Sequence, residues 1–135
     1  MSMKTLNLCT AIFTSTLLIS CSDNVSGSWE GACINDTAGG VTAPMQLMLN
    51  ISGKKVNGAL MLGGSELIGS GEITGHIHGK SITFQSPGDG TTFTQITWMG
   101  TISGNVIEGS YRVEPTTAAS LIGITPQNGR FKVAK

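Results

Sequence analysis

The chain has 135 residues with 8 basic and 8 acidic side chains, so its formal charge is zero. Charged residues make up only 12%, and no basic stripe runs along it, which excludes a surface built to hold nucleic acid. An apolar content of 39% is enough for a core, which excludes a disordered chain, and the length is that of one domain.

In chain order, the first element follows Lys4: a mostly apolar run from Leu8 to Ile19, with small hydroxyl residues mixed in. It falls short of the ~20 residues of a spanning helix. A charged start, a short apolar centre and a small residue before the cut are the marks of a secretory signal. The run ends in Leu18-Ile19-Ser20-Cys21, which resembles the lipobox of bacterial lipoproteins. The resemblance implies cleavage before Cys21 and acylation of its sulfur. Residues 1–20 would then be the leader, 21–26 the lipidated cysteine and a short tether, and 27–135 the folded domain. Ser22, rather than Asp, is similar to the outer-membrane sorting pattern, so the expected address is the bacterial cell envelope at the outer membrane. Two or more acyl chains anchor stably, at about 0.8 kcal/mol per buried methylene. Cys9 would leave with the leader and Cys21 would carry lipid. Cys33 then has no partner for an internal disulfide and reads as a small buried hydrophobe.

The next element is a strand from Ser28 to Ile34, with Trp29, Gly31 and Cys33 on one face. Three similar segments follow: ISGKKVNG at 51–58, IHGKSITF at 77–84 and ISGNVIEG at 102–109. Gly followed by a polar residue suits a two-residue type II′ hairpin turn, which needs positive φ at its first central position. Turns at Gly53-Lys54, Gly79-Lys80 and Gly104-Asn105 pair Ile51 with Val56, Ile77 with Ile82 and Ile102 with Ile107. The next pairs outward are polar: Asn50–Asn57, His76–Thr83 and Thr101–Glu108. Alternation then puts Leu47, Leu49, Leu60, Leu62, Ile73, Phe84, Ile96, Trp98, Tyr111 and Val113 on one face. The other face carries mostly Gln, Thr, Ser and Arg, unlike the apolar outer band of a membrane-spanning barrel. A last strand, Arg130 to Val133, turns Phe131 and Val133 inward.

Eight strands in simple succession with one apolar face predict an all-β, eight-stranded antiparallel up-and-down β-barrel, which leaves no free edge. A two-sheet sandwich is the alternative. Gly27-Ser28-Trp29 resembles the G-x-W that opens the first strand of lipocalins, and the similar start of avidins. That calycin-like resemblance implies that Trp29 plugs one barrel end, with Arg130 as the basic residue packed over it. It also implies the general idea of a cavity.

The three tight turns share one end with the start of strand 1. A tether from Cys21 to Ser26 would hold that end within roughly 20 Å of a membrane. The longer connections, Asn35–Ala43, Gly63–Glu66, Pro87–Gly90 and Glu114–Asn128, gather at the far end, where function is expected. The last of them is read as holding a short helical turn capped by Thr116 or Thr117.

An eight-stranded barrel is filled by side chains or holds one small ligand. The possible cavity residues are Trp98, Tyr111, Phe84 and Phe131. Three roles are open to the inward glycines 58, 75, 100 and 109: coiling the strands, making room for Trp29 or Trp98, or lining a cavity. His76 and His78 point outward beside a turn, no Asp, Glu or Cys cluster joins them, and no metal or cofactor is expected. LGGSELIGSGE at 62–72 lacks the Lys of a phosphate loop, and no nucleophile–base set is present, so the expectation is a non-catalytic protein. Met48, Ala59 and Met61 form an outward apolar patch. The leading expectation is a lipid-anchored module that binds a small apolar ligand at the membrane-distal mouth. The alternatives are a protein-binding module, such as a lysozyme or protease inhibitor, and an envelope structural or assembly factor.

Overall fold

The structure is a computed structural model that describes residues 25–63 and 69–135. The segment expected to be the leader, the lipobox-like stretch with Cys21, and Glu66 lie outside the described residues. Eight strands and one short helix follow in order: β1 (Gly27–Asn35), β2 (Val41–Ser52), β3 (Lys55–Leu62), β4 (Gly71–His78), β5 (Ser81–Pro87), β6 (Phe93–Ser103), β7 (Val106–Pro115), α1 (Thr117–Leu121) and β8 (Gln127–Ala134). Each strand pairs antiparallel with the next, and β1 also pairs with β8, from Glu30↔Ala134 to Asn35↔Gly129. The sheet is therefore a closed up-and-down barrel and not a sandwich.

The hairpin registers follow from the turns. Gly53, Gly79 and Gly104 take φ of +63°, +61° and +60°, a region that costs glycine nothing. The pairs Ile51↔Val56, Ile77↔Ile82 and Ile102↔Ile107 stand next to them, followed by Asn50↔Asn57, His76↔Thr83 and Thr101↔Glu108. Because side chains alternate, these registers carry the apolar series to the inside. Leu47, Leu49, Leu60, Ile73, Phe84, Ile96, Trp98, Tyr111 and Val113 are all buried, as are Phe131 and Val133. Leu62 packs against them.

The core begins before the first strand. Val25 is buried, and the Ser26 hydroxyl accepts the Ile51 N–H at 3.0 Å. Among the described residues, packing thus already includes the two positions ahead of Gly27. At the opposite end the β1–β2 link shrinks to residues 36–40, because Ile34↔Thr42 and Asn35↔Val41 still pair. Three of the four inward glycines mark close backbone approach: a methyl at Gly58, Gly75 or Gly109 would overlap the carbonyl oxygen of Met48, Thr83 or Met99. They let neighbouring strands coil tightly enough to close. At Gly100 a methyl would press on Ile107 and Phe131, so its missing side chain makes room for core packing.

Candidate functional site

The two barrel ends are closed differently. At the tight-turn end Trp29 is 1% exposed, and its indole Nε1–H donates to the Val25 carbonyl at 2.8 Å. The basic group above its ring is Lys135, whose Nζ lies 5.6 Å from the ring centre and donates to the Ser26 carbonyl at 2.6 Å. Arg130 does not fill this role, which corrects the expectation from the sequence. Between inward Gly129 and Phe131 it must point outward. It pairs with Ile34 near the other end of β1 and holds the Asp36 carboxylate with two hydrogen bonds of 2.9 Å.

The middle of the barrel is filled. Phe84 and Trp98 stack with centroids 6.0 Å apart, Phe131 meets Trp98 edge-on at 5.4 Å, and Tyr111 lies 4.6 Å from Trp98. The Trp98 Nε1–H donates to the buried Ser86 hydroxyl at 2.9 Å. All four residues read from the sequence as cavity-lining come together here, but as a packed aromatic cluster.

Trp98 and Tyr111 of that cluster also stand in the wall at the floor of the distal mouth. They line a cavity of about 280 Å³ at the distal mouth, ringed by Cys33, Val41, Leu62, Phe93, Ile96 and Val113, with Asn35, Gln127, Asp89 and Thr92 as its polar members. The volume falls just below the usual range of ligand pockets, ~300–1,000 Å³, so any occupant is small. Six strands, β1, β2, β3, β6, β7 and β8, contribute side chains from their distal ends, and the β1–β2 and β5–β6 links add the rest. Asn35 simply continues the series Trp29, Gly31, Cys33, and Gln127 continues Phe131 and Gly129. That continuation was a usable signal for two site residues that sequence reasoning did not single out.

Hydrogen bonds shape the rim. Asn35 is buried; its amide donates to Gln127 Oε1 at 2.7 Å, and its oxygen accepts the Ala38 N–H at 3.0 Å. One Asp89 oxygen accepts the N–H groups of Thr91, Thr92 and Phe93 at 2.8–3.0 Å. These bonds, that of Phe93 foremost, hold the Asp89 carboxyl below its ordinary range. The Thr116 hydroxyl caps α1 by accepting the Ala119 N–H and donates to the Thr91 carbonyl at 2.8 Å, tying the helix to the β5–β6 loop. Leu121 and Ile122 beside it are 82% and 80% exposed. Burial pushes the Cys33 thiol above its ordinary value. Burial, with Cys33 and Asp36 nearby, pushes the Tyr111 phenol far above 10. Both stay protonated at neutral pH.

His76 and His78 are exposed on the outer face of β4, and among the described residues no three His, Cys, Asp or Glu side chains gather as a metal site. A groove of about 360 Å³ runs outside β1–β3 along Glu30, Gln46, Met48, Ala59 and Met61. It exceeds the mouth in volume, as does a groove of about 610 Å³ along Ala32, Thr42, Glu108, Arg130 and Lys132, but both lie over strand surface, and no buried polar group converges on either. Comparison with protein-family models, with curated proteins and with solved structures finds no match.

Proposed function

We propose that the protein is a non-catalytic, lipid-anchored envelope module that takes one small, mostly apolar molecule into the distal mouth. The observation that carries this reading is the cavity over Trp98 and Tyr111: largely apolar, open at one end, with buried Asn35 and buried Tyr111 as its inner polar groups. The lipobox-like Leu18-Ile19-Ser20-Cys21 supports the anchor. Val25, four positions after Cys21, packs at the tight-turn end, so an acylated Cys21 would hold that end within about 14 Å of the lipid and leave the mouth facing away.

Native mass spectrometry of the full chain, released from membranes in mild detergent, tests both parts. Acyl chains on Cys21 together with a retained small apolar molecule are expected. An unacylated Cys21 would remove the anchor. A chain that carries nothing and takes up no small hydrocarbon would remove the binding role.

A second reading rests on Leu121 and Ile122. Two large apolar side chains so exposed on the distal rim favour a protein partner there. Co-purification of a stoichiometric envelope protein, lost in Leu121→Ser/Ile122→Ser, would support it over the small-molecule reading.

A further inference from the structure

Tyr111 is 5% exposed, and its ring cannot swing out. One side lies against Trp98 at 4.6 Å, and the hydroxyl end stands over Gly129, where a methyl would overlap Cζ. None of the described residues hydrogen-bonds its hydroxyl. The other buried polar groups nearby differ. Trp98 reaches Ser86, and Asn35 reaches both Gln127 and the Ala38 N–H. A buried hydroxyl left unpaired is costly, so its partner is expected to enter from the cavity it lines.

The surroundings select the chemistry of that partner. A neutral phenol is first a donor. Among the described residues the lining contains no Lys, Arg or His, while Asp89 stands in it and Asp36 lies near Tyr111. An anion would meet these carboxylates with no lining cation to offset them. Both carboxylates are already engaged, Asp36 by Arg130 and Asp89 by three backbone N–H groups, which weakens their pull on a cation. The rest of the wall is mainly apolar.

Resting on the reading of the mouth as a small-molecule site, we propose that its occupant is a compact, neutral, apolar molecule carrying a carbonyl-type acceptor, and that the Tyr111 hydroxyl donates to that acceptor. Tyr111 is then the residue that sets specificity, and the apolar wall supplies affinity.

Three probes of nearly one shape test this: acetophenone, α-methylstyrene, in which =CH2 replaces =O, and benzoate. Each is titrated into the isotope-labelled full chain while the Trp98 indole N–H resonance is followed. Acetophenone is expected to bind about fivefold tighter than α-methylstyrene, although water rejects the styrene more strongly. Benzoate is expected to give no saturation. Tyr111→Phe keeps the ring and should reverse the order, leaving the styrene tighter. Should that variant not fold, the wild-type preference for ketone over styrene decides alone. Equal binding of ketone and styrene, a preference that survives Tyr111→Phe, or tight binding of benzoate would overturn the acceptor assignment and leave the cavity standing. If none of the three probes moves the Trp98 resonance, the small-molecule reading itself falls.

Discussion

The ammonium of Lys135 stands 5.6 Å from the centre of the Trp29 ring and reaches the Ser26 carbonyl at 2.6 Å. One side chain just beyond β8 thus clasps the segment that leads into β1, at the end where the tight turns gather. Lys135→Met keeps most of the aliphatic stem but removes the charge and the donor. It should lower unfolding stability by about 1 kcal/mol, an exposed cation–π contact and hydrogen bond being modest. Trp29→Phe should cost more, about 2 kcal/mol, because the indole N–H to Val25 and core volume both disappear. Urea midpoints of the two variants check the order; a larger loss for Lys135→Met would contradict it.

Closure depends on strands touching through glycine. In Gly75→Ala and Gly109→Ala a methyl would overlap a carbonyl oxygen of the neighbouring strand. Backbone cannot yield as a flexible side chain can, so each should destabilise by about 3 kcal/mol or more. Gly39→Ala is the control. It sits at φ +73° with nothing within 4 Å of the added methyl, and should cost only about 1 kcal/mol. Similar losses at all three positions would refute the close-approach account.

The buried Asn35 holds the mouth from both sides. Asn35→Leu leaves the Ala38 N–H and Gln127 without their partner, a loss of roughly 1–3 kcal/mol. Hydrogen exchange should quicken at Ala38 and Gln127 while Trp98 and Phe84 keep their native shifts. An unchanged exchange pattern would mean that the pair does not organise the rim.

Acid acts on the same rim through Asp89. Its folded carboxyl titrates below the ordinary 3.8, held down first by the Phe93 N–H and then by those of Thr92 and Thr91. A depressed carboxyl contributes stability that is present above the unfolded value and lost as pH falls through the folded one. Asp36 behaves alike because Arg130 grips it. Carboxyl carbon shifts should therefore show both midpoints below 3.8. Arg130→Gln should return Asp36 alone to the ordinary range, with Asp89 unmoved.

Much of this molecule was legible before any coordinates. Glycine-led turns at 53, 79 and 104 set three registers, and strict alternation from them named the inner face from Leu47 to Val113. Peptide geometry makes that inference local: successive side chains point to opposite faces, so a turn and a few apolar residues fix a strand's orientation. A threonine helix cap, Thr116 or Thr117, was readable for the same reason, since a cap is satisfied within one turn; the structure selects Thr116.

What the tertiary structure alone decided concerns pairs far apart in sequence. The stagger with which β8 meets β1 puts Arg130 opposite Ile34 and brings Lys135, not Arg130, over Trp29. The filling of the barrel centre and the opening at its mouth depend on summed side-chain volumes from several strands. That no described residue hydrogen-bonds the Tyr111 hydroxyl depends on what the opposite wall offers. Alternation records which way each residue faces; it carries no record of how far one strand slides past another, and that slide determines which distant groups finally meet.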